Sequence, residues 1–187
     1  MAIKQKTRSR TERPTHDRPT HMLLEKLGAG AAAVQIFGYS VKIVCGKQTG
    51  SDCCCVAGTR PGVYATEVNI QNPSLQPAPI VKAVLPLINM GAVVGREPNF
   101  ADTADAKVDV ITLPPLAATM DDCCRIAELQ LGAEPSGETG LTIAILTILS
   151  LVELSVSAVY TASPLSGDGV SIDVEYIPSW RLAVGGD

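Results

Sequence analysis

The chain has 187 residues, of which 46% are hydrophobic and 18% charged, a size that fits one domain with its own core plus an extension. Val, Ile and Thr are plentiful while Glu, Lys and Arg are scarce, which favours strands and argues against a mainly helical protein. The net charge of −4 is unevenly spread, because residues 1–27 hold seven Lys/Arg against three Asp/Glu and the remainder holds eight against sixteen.

The N-terminal segment is basic and polar. Residues 1–22 contain two prolines and almost no apolar side chains, so they cannot bury enough surface to fold alone. We therefore predict an arm over residues 1–38 and a β-sandwich domain over 39–187. The predicted arm contacts are Lys4, Lys6, Arg8, Arg10, Arg13 and Arg18. Three interpretations stay open: a solvated tail, an arm that binds nucleic acid or another anionic surface, and an arm that docks on the acidic body of a neighbouring copy.

Period-two patterns begin at Tyr39. Residues 39–45 alternate so that Tyr39, Val41, Ile43 and Cys45 share one face. Residues 62–70 alternate in the same way and place four side chains inward: Tyr64, Thr66, Val68 and Ile70. A third strand is predicted over residues 80–88, where Pro86 indicates a sheet edge or a bulge. Residues 107–113 give a fourth strand, which two prolines end.

One helix is predicted, over residues 119–132. Thr119 and Asp122 have the spacing of a capping box, Asp121 and Asp122 would act on the helix dipole, and Gly132 would end the helix. Strands follow over residues 141–150, 152–162 and 170–177. Alternation places Glu67, Asp173 and Glu175 on solvent faces. About seven strands with one short helix predict an all-β, two-sheet antiparallel sandwich.

Several segments together resemble a known group. The stretches YSVKIVCGK, PGVYATEVNIQNPS, DDCCRIAELQLG, VELSVSAVYTA and SIDVEYIP are similar to those of uncharacterised bacterial β-sandwich proteins, in which a VELDVVAVYTA-like strand precedes an SIDVEYI-like strand. The resemblance covers roughly residues 39–178 and implies a fold but no activity. The cysteine runs and the long basic arm depart from that group.

The six cysteines are clustered. Cys45 falls on an inward strand face and is assigned to the core, whereas Cys53, Cys54, Cys55, Cys123 and Cys124 are candidates for disulfides or cross-links within or between chains. Adjacent cysteines are poor partners for each other and suit different partners better. Buried inert thiols remain an alternative. A metal site is less favoured because neither run has the C-x₂-C spacing.

Catalysis has little support in the sequence. Both histidines, His16 and His21, lie in the arm, and no serine sits in a nucleophile motif. The glycine-containing stretches GAGAAA and GKQTG lack the phosphate-loop spacing. We expect no enzymatic activity, no cofactor and no metal.

The expected function is structural. The sequence predicts a subunit that assembles with copies of itself into a filament or surface assembly through its arm, strand edges and intersubunit disulfides. The alternative is a non-enzymatic binding module whose basic arm contacts nucleic acid or another anionic surface; nucleic acid is disfavoured because the arm has no aromatic residue to stack on bases. A redox protein using the cysteines is a third possibility.

The compartment is left open by the sequence. No secretory signal precedes the domain. The apolar run of residues 141–162 contains Glu153 and many β-branched residues, so no membrane span is expected. Oxidised cysteines would favour the cell surface or the extracellular space.

Overall fold

The computed structural model describes residues 34–50, 61–89, 91–93, 108–131 and 140–184. These residues form ten strands and one α-helix. In chain order they are β1 (Val34–Gln48), β2 (Gly62–Gln71), β3 (Ala78–Asn89), β4 (Ala92–Val93), β5 (Val108–Leu113), β6 (Ala118–Asp121), α1 (Cys123–Leu131), β7 (Thr142–Ser150), β8 (Ser155–Ser163), β9 (Ser171–Tyr176) and β10 (Trp180–Val184).

The strands pair antiparallel in one connected sheet with the order β4-β3-β7-β1-β2-β8-β9. Three strands lie off this path: β10 pairs with β1, β5 with β3 and β6 with β2. We call β3, β4, β5, β7 and β10 the β7 half, and β2, β6, β8 and β9 the β8 half. The strand β1 joins them, because residues 37–45 pair with β7 while Gly46–Gln48 pair with β2. The predicted antiparallel all-β class with one short helix is therefore confirmed, with ten strands where about seven were expected.

The predicted inward faces are confirmed in the longer strands. Tyr39, Val41 and Ile43 of β1 are fully buried, as are Val68 and Ile70 of β2. The same main core cluster contains side chains from β3, β5, α1, β7 and β8. Both halves of the sheet thus contribute to one core.

The proline in β3 has the predicted effect. The register between β3 and β7 shifts between Pro86 and Ile88, which marks a bulge or irregularity at a residue that cannot donate to the ladder.

The start of the helix was predicted wrongly. Thr119 does not cap it, because residues 118–121 form β6 and pair with β2. The helix begins at Cys123, and Asp122 caps it: its Oδ1 accepts a hydrogen bond of 2.8 Å from the backbone N–H of Arg125. The backbone hydrogen bonds of residues 118–121 are made with β2, which is distant in sequence. This pairing, and not the local helix signals, sets the start of the helix.

The first strand begins earlier than the predicted domain boundary. Residues 34–38, which were assigned to the arm, pair with β10. At Gly38 an added Cβ would collide with the ring of Trp180. The indole N–H of Trp180 donates to Ser40 Oγ at 3.3 Å. The glycine is thus needed for the close approach of the indole to β1, and the strand extends because β10 is there to pair with it.

Candidate functional site

The strand β9 forms one end of the sheet order, and among the described strands it pairs with β8 alone. All six of its residues are exposed. Its other edge therefore presents backbone N–H and C=O groups that no described strand satisfies. Such an edge can pair with a strand from another chain unless it is protected.

The outer face of β9 is apolar. Ile172, Val174 and Tyr176 are 64%, 65% and 66% exposed. Val174 lies opposite Val159 of β8, a position that alternates with the fully buried Ala158 and so faces away from the core. Exposed Val170 precedes the strand. This is a row of large apolar side chains that the described residues leave uncovered.

The opposite face of β9 is acidic. Asp173 and Glu175 lie opposite Tyr160 and Ala158 of β8, on the face of the sheet that β8 turns toward the core. Both residues are nevertheless exposed, because the core ends at β8. The Tyr160 hydroxyl donates to Glu175 Oε2 at 3.2 Å. Burial, followed by the negative charges of Glu175 and Asp173, raises the pKa of Tyr160 to about 12. The predicted solvent positions of Asp173 and Glu175 are confirmed, and together they create a local negative potential.

The cysteines are divided by the structure. Cys45 and Cys123 form a disulfide that joins β1 to the first residue of α1, across 78 residues of sequence. Cys45 is buried in the core, as predicted, but its bond to Cys123 was missed. Cys124 is a free, exposed thiol. Cys53, Cys54 and Cys55 lie outside the described residues, as do the arm contacts Lys4, Lys6, Arg8, Arg10, Arg13 and Arg18.

A shallow depression of about 230 Å³ lies beside the disulfide. It is lined by Ala65, Thr66, Glu67, Asp122, Cys123, Cys124, Val159 and Thr161. A free thiol and two carboxylates are present, but none of the lining residues is a histidine that could act as a base toward Cys124. The disulfide also accepts a hydrogen bond, because the backbone N–H of Thr66 donates to Cys123 Sγ at 3.3 Å. Cys123 is thus bonded to β1 through its sulfur and also contacts β2.

A second cluster of charges lies inside the fold. Lys82 of β3 is 2% exposed, and its Nζ lies 2.8 Å from Asp121 Oδ1 and 3.1 Å from Asp109 Oδ2. Arg125 of α1 lies 2.9 Å from the same Asp109 oxygen and also pairs with Glu128. Burial alone would raise the pKa of the Asp109 carboxyl, but hydrogen bonds from Lys82 and Arg125 outweigh it and hold that pKa below 3.8, its usual value.

One buried asparagine, Asn72, holds the connection between β5 and β6, the strands that carry Asp109 and Asp121. Asn72 Nδ2 donates to the carbonyls of Leu113 and Pro114, at 3.2 and 3.0 Å, just after β5. Its backbone N–H donates to Ala117 O at 2.9 Å, just before β6. The connection between the strands that carry Asp109 and Asp121 is thereby fixed.

Asp121 and Asp122 were predicted to share one role at the start of the helix, and the structure separates them. Asp122 caps the helix, whereas Asp121 is buried against Lys82. A signal was present: the alternation Ile80, Lys82, Val84 places a lysine on an inward strand face, where an isolated charge is costly.

No protein-family model matches the chain, and no curated protein matches it. A solved structure, that of protein 1070 of Thermotoga maritima, is similar over 78% of this chain and 93% of its own, with 11% sequence identity and a TM-score of 0.41.

In the part of the chain that the structure describes, no group of three or more His, Cys, Asp or Glu side chains is arranged to hold a metal ion. No helix in that part is long and apolar enough to cross a membrane.

Proposed function

We propose that this protein is a structural subunit that assembles with copies of itself, the basic arm of one copy adding as a strand to the β9 edge of the next. The observation that carries the proposal is the β9 edge: six exposed residues at the end of the sheet order, with an apolar outer face and an acidic inner face.

The arm has the pattern that such an edge would accept. Positions 4, 6, 8 and 10 are all basic, and Ile3, Gln5, Thr7 and Ser9 alternate with them. In an extended strand, alternate residues point to opposite faces, so the four cations would share one face. Opposite charges on neighbouring strands stabilise their pairing. Pairing with β9 can therefore place Lys and Arg beside Asp173 and Glu175.

Direct pairing of β9 with β9 of a second copy is less favourable. In an antiparallel pair centred on Val174, Asp173 of one chain would lie opposite Glu175 of the other, and like charges in that position destabilise pairing. The acidic face thus selects a basic strand over a second β9. The body as a whole, with eight basic and sixteen acidic residues beyond residue 27, supports the same choice.

In such a contact the arm of one copy binds the β9 edge of the next, so two different surfaces meet and the contact is head-to-tail. Repetition of such a contact gives a closed ring or an open filament, depending on the rotation between neighbours. The exposed thiol of Cys124 and the predicted cross-link residues Cys53, Cys54 and Cys55 are then available for disulfides between subunits. The Cys45–Cys123 bond supports a location in an oxidising compartment, such as the cell surface or the extracellular space.

We also infer that the two halves of the sheet pack face to face as a two-sheet sandwich. The support is local: the hydroxyl of Tyr39 in β1 donates to Leu154 O at 2.9 Å and accepts from Leu154 N at 2.6 Å, just before β8. Thr66 Oγ1 of β2 is bonded to the backbone N–H and C=O of Val44, two residues beyond the last paired position of β1 and β2, where β1 leaves β2 for β7. Contacts of this kind join the facing layers of a sandwich.

The assembly is tested by a charge swap. One variant carries Lys4→Glu, Lys6→Glu, Arg8→Glu and Arg10→Glu; the other carries Asp173→Lys and Glu175→Lys. Each variant alone has an arm and an edge of the same sign and should be monomeric by light scattering. Their mixture restores opposite signs at both contacts and should assemble into oligomers or filaments visible by electron microscopy.

The controls separate the alternatives. The unmodified chain should assemble, and a chain lacking residues 1–22 should not. Monomers in every sample, the mixture included, would refute assembly and indicate an arm that folds back on its own domain or stays free. If the monomeric protein instead binds anionic vesicles or nucleic acid, and loses that binding with the arm, the binding-module alternative is favoured.

A further inference from the structure

The amine of Lys82 and the carboxylate of Asp121 are buried next to each other in the core. Lys82 lies on the same face of β3 as Ile80 and Val84, both members of the main core cluster, and Asp121 lies opposite the fully buried Val68. Each side chain is 2% exposed, and 2.8 Å separate Nζ from Oδ1. The carboxyl carbon of Asp121 lies one C–O bond beyond Oδ1, so a shift of at most about 1 Å would bring the nitrogen to the reacting distance of about 3–3.5 Å.

The energetics of an ion pair at this position are poor. Two charges have been removed from water, and their attraction offsets that cost only when the remaining lone pairs are also satisfied. Asp121 Oδ2 is buried and has no hydrogen-bond partner in the described part of the chain. Condensation to an amide would remove both charges and one carboxylate oxygen together.

We propose that Lys82 and Asp121 become joined by an intramolecular amide bond between β3 and β6. The nitrogen of Lys82 attacks the carboxyl carbon of Asp121, the new N–C bond forms, and one C–O bond of the carboxyl group breaks. The ammonium and the carboxylate contain between them all the atoms of one amide and one water, so the reaction needs no oxidant, no nucleotide and no other reactant.

Asp109 is the catalytic residue of this reaction. Its Oδ2 lies 3.1 Å from Lys82 Nζ, and Arg125 holds the same oxygen from the helix side at 2.9 Å. The carboxylate accepts a proton from the ammonium, which frees the nitrogen lone pair for attack, and passes that proton to the departing oxygen. After the N–C bond has formed, a second proton moves from the nitrogen to the same oxygen by the same route, so that the oxygen leaves as water and the nitrogen keeps the single hydrogen of the amide. Lys82 and Asp109 lie opposite each other on the paired strands β3 and β5, and Asp121 approaches them from β6. The fold itself thus supplies the proximity that a reaction between free molecules lacks.

The product would be a second covalent link close to the first. The disulfide joins β1 to Cys123, and the amide would join β3 to Asp121, two residues earlier. The disulfide can be reduced, whereas the amide cannot. The subunit would then keep one cross-link between the two halves of its sheet under any redox condition.

The test is the intact mass of the full chain, purified folded and then measured under reducing conditions. The proposal expects a mass lower than that of the sequence by one water molecule, after allowance for removal of Met1. Proteolysis and fragmentation should give one branched peptide that contains both Lys82 and Asp121.

Two variants locate the bond and its catalyst. Lys82→Arg keeps the positive charge but removes the nucleophile, so this variant should have the full mass of its sequence. Asp109→Asn keeps Lys82 and Asp121 but removes the proton acceptor, so it should also have the full mass of its sequence. Lys42→Arg, on the exposed face of β1, is the matched control and should still lack one water molecule. A folded native chain with the full sequence mass and no branched peptide would overturn the proposal, as would loss of water that persists in Lys82→Arg.

Discussion

The disulfide between Cys45 and Cys123 is expected to supply a large share of the stability of the fold. The paired replacement Cys45→Ala with Cys123→Ala removes the bond without leaving an unpaired thiol. The bond closes a loop across 78 residues. The chain-entropy relation for a loop of that length gives about 4.5 kcal/mol at 25 °C. Since domains of this kind are stable by only about 5–15 kcal/mol, the variant should be near the limit of folding.

Guanidinium unfolding measured by circular dichroism checks this value. The free energy of unfolding of the oxidised native chain should exceed that of the double variant by about 4–5 kcal/mol. Reductant should lower the free energy of unfolding of the native chain to nearly that of the variant. Cys124→Ala, which removes the adjacent exposed thiol, is the matched control and should unfold like the native chain. If thiol titration shows the bond to be reduced while the unfolding curve does not move, the constraint on the unfolded chain is not what stabilises this protein.

Three further predictions concern single side chains. Tyr39→Phe leaves the backbone N–H and C=O of Leu154 without their hydroxyl partner and should cost about 1–3 kcal/mol in urea unfolding, whereas Tyr160→Phe, a control at a partly exposed tyrosine, should cost less. Because the folded pKa of Tyr160 is raised from 10.0 to about 12, its contribution to stability is present below pH 10 and lost as the pH rises toward 12. Burial raises the pKa of Tyr39 as well, so ultraviolet titration of phenolate in the native chain should show late tyrosines, of which Tyr160→Phe should remove one. Gly38→Ala forces the indole of Trp180, the single tryptophan, away from β1, so it should shift tryptophan emission and lower stability by about 1–3 kcal/mol; unchanged emission would contradict the close approach.

Much of the strand pattern could be predicted from the sequence. Alternation alone placed Tyr39, Val41 and Ile43 on the buried face of β1, because successive side chains in any strand point to opposite sides. The disturbance at Pro86 followed from the missing N–H of proline. The exposed carboxylates of β9 followed from the same period of two. These are local properties, which a strand has wherever it pairs.

The candidate sites could not be predicted in the same way. Nothing local in residues 118–121 distinguishes β6 from the first turn of a helix; the ladder with β2 does. Cys123 is bonded to Cys45, 78 residues away in sequence, because the start of α1 packs next to β1 in the fold.

The sequence by itself determined the all-β class, the inward faces of the strands and the contrast between basic residues near the N-terminus and acidic residues beyond residue 27. Only the tertiary structure decided that no described strand covers the outer edge of β9 and which charges meet in the core. The physical reason is that the alternation of side-chain faces along a strand depends only on neighbours in sequence. Lys82, Asp109 and Asp121 come from three different strands and lie together only after the sheet has formed.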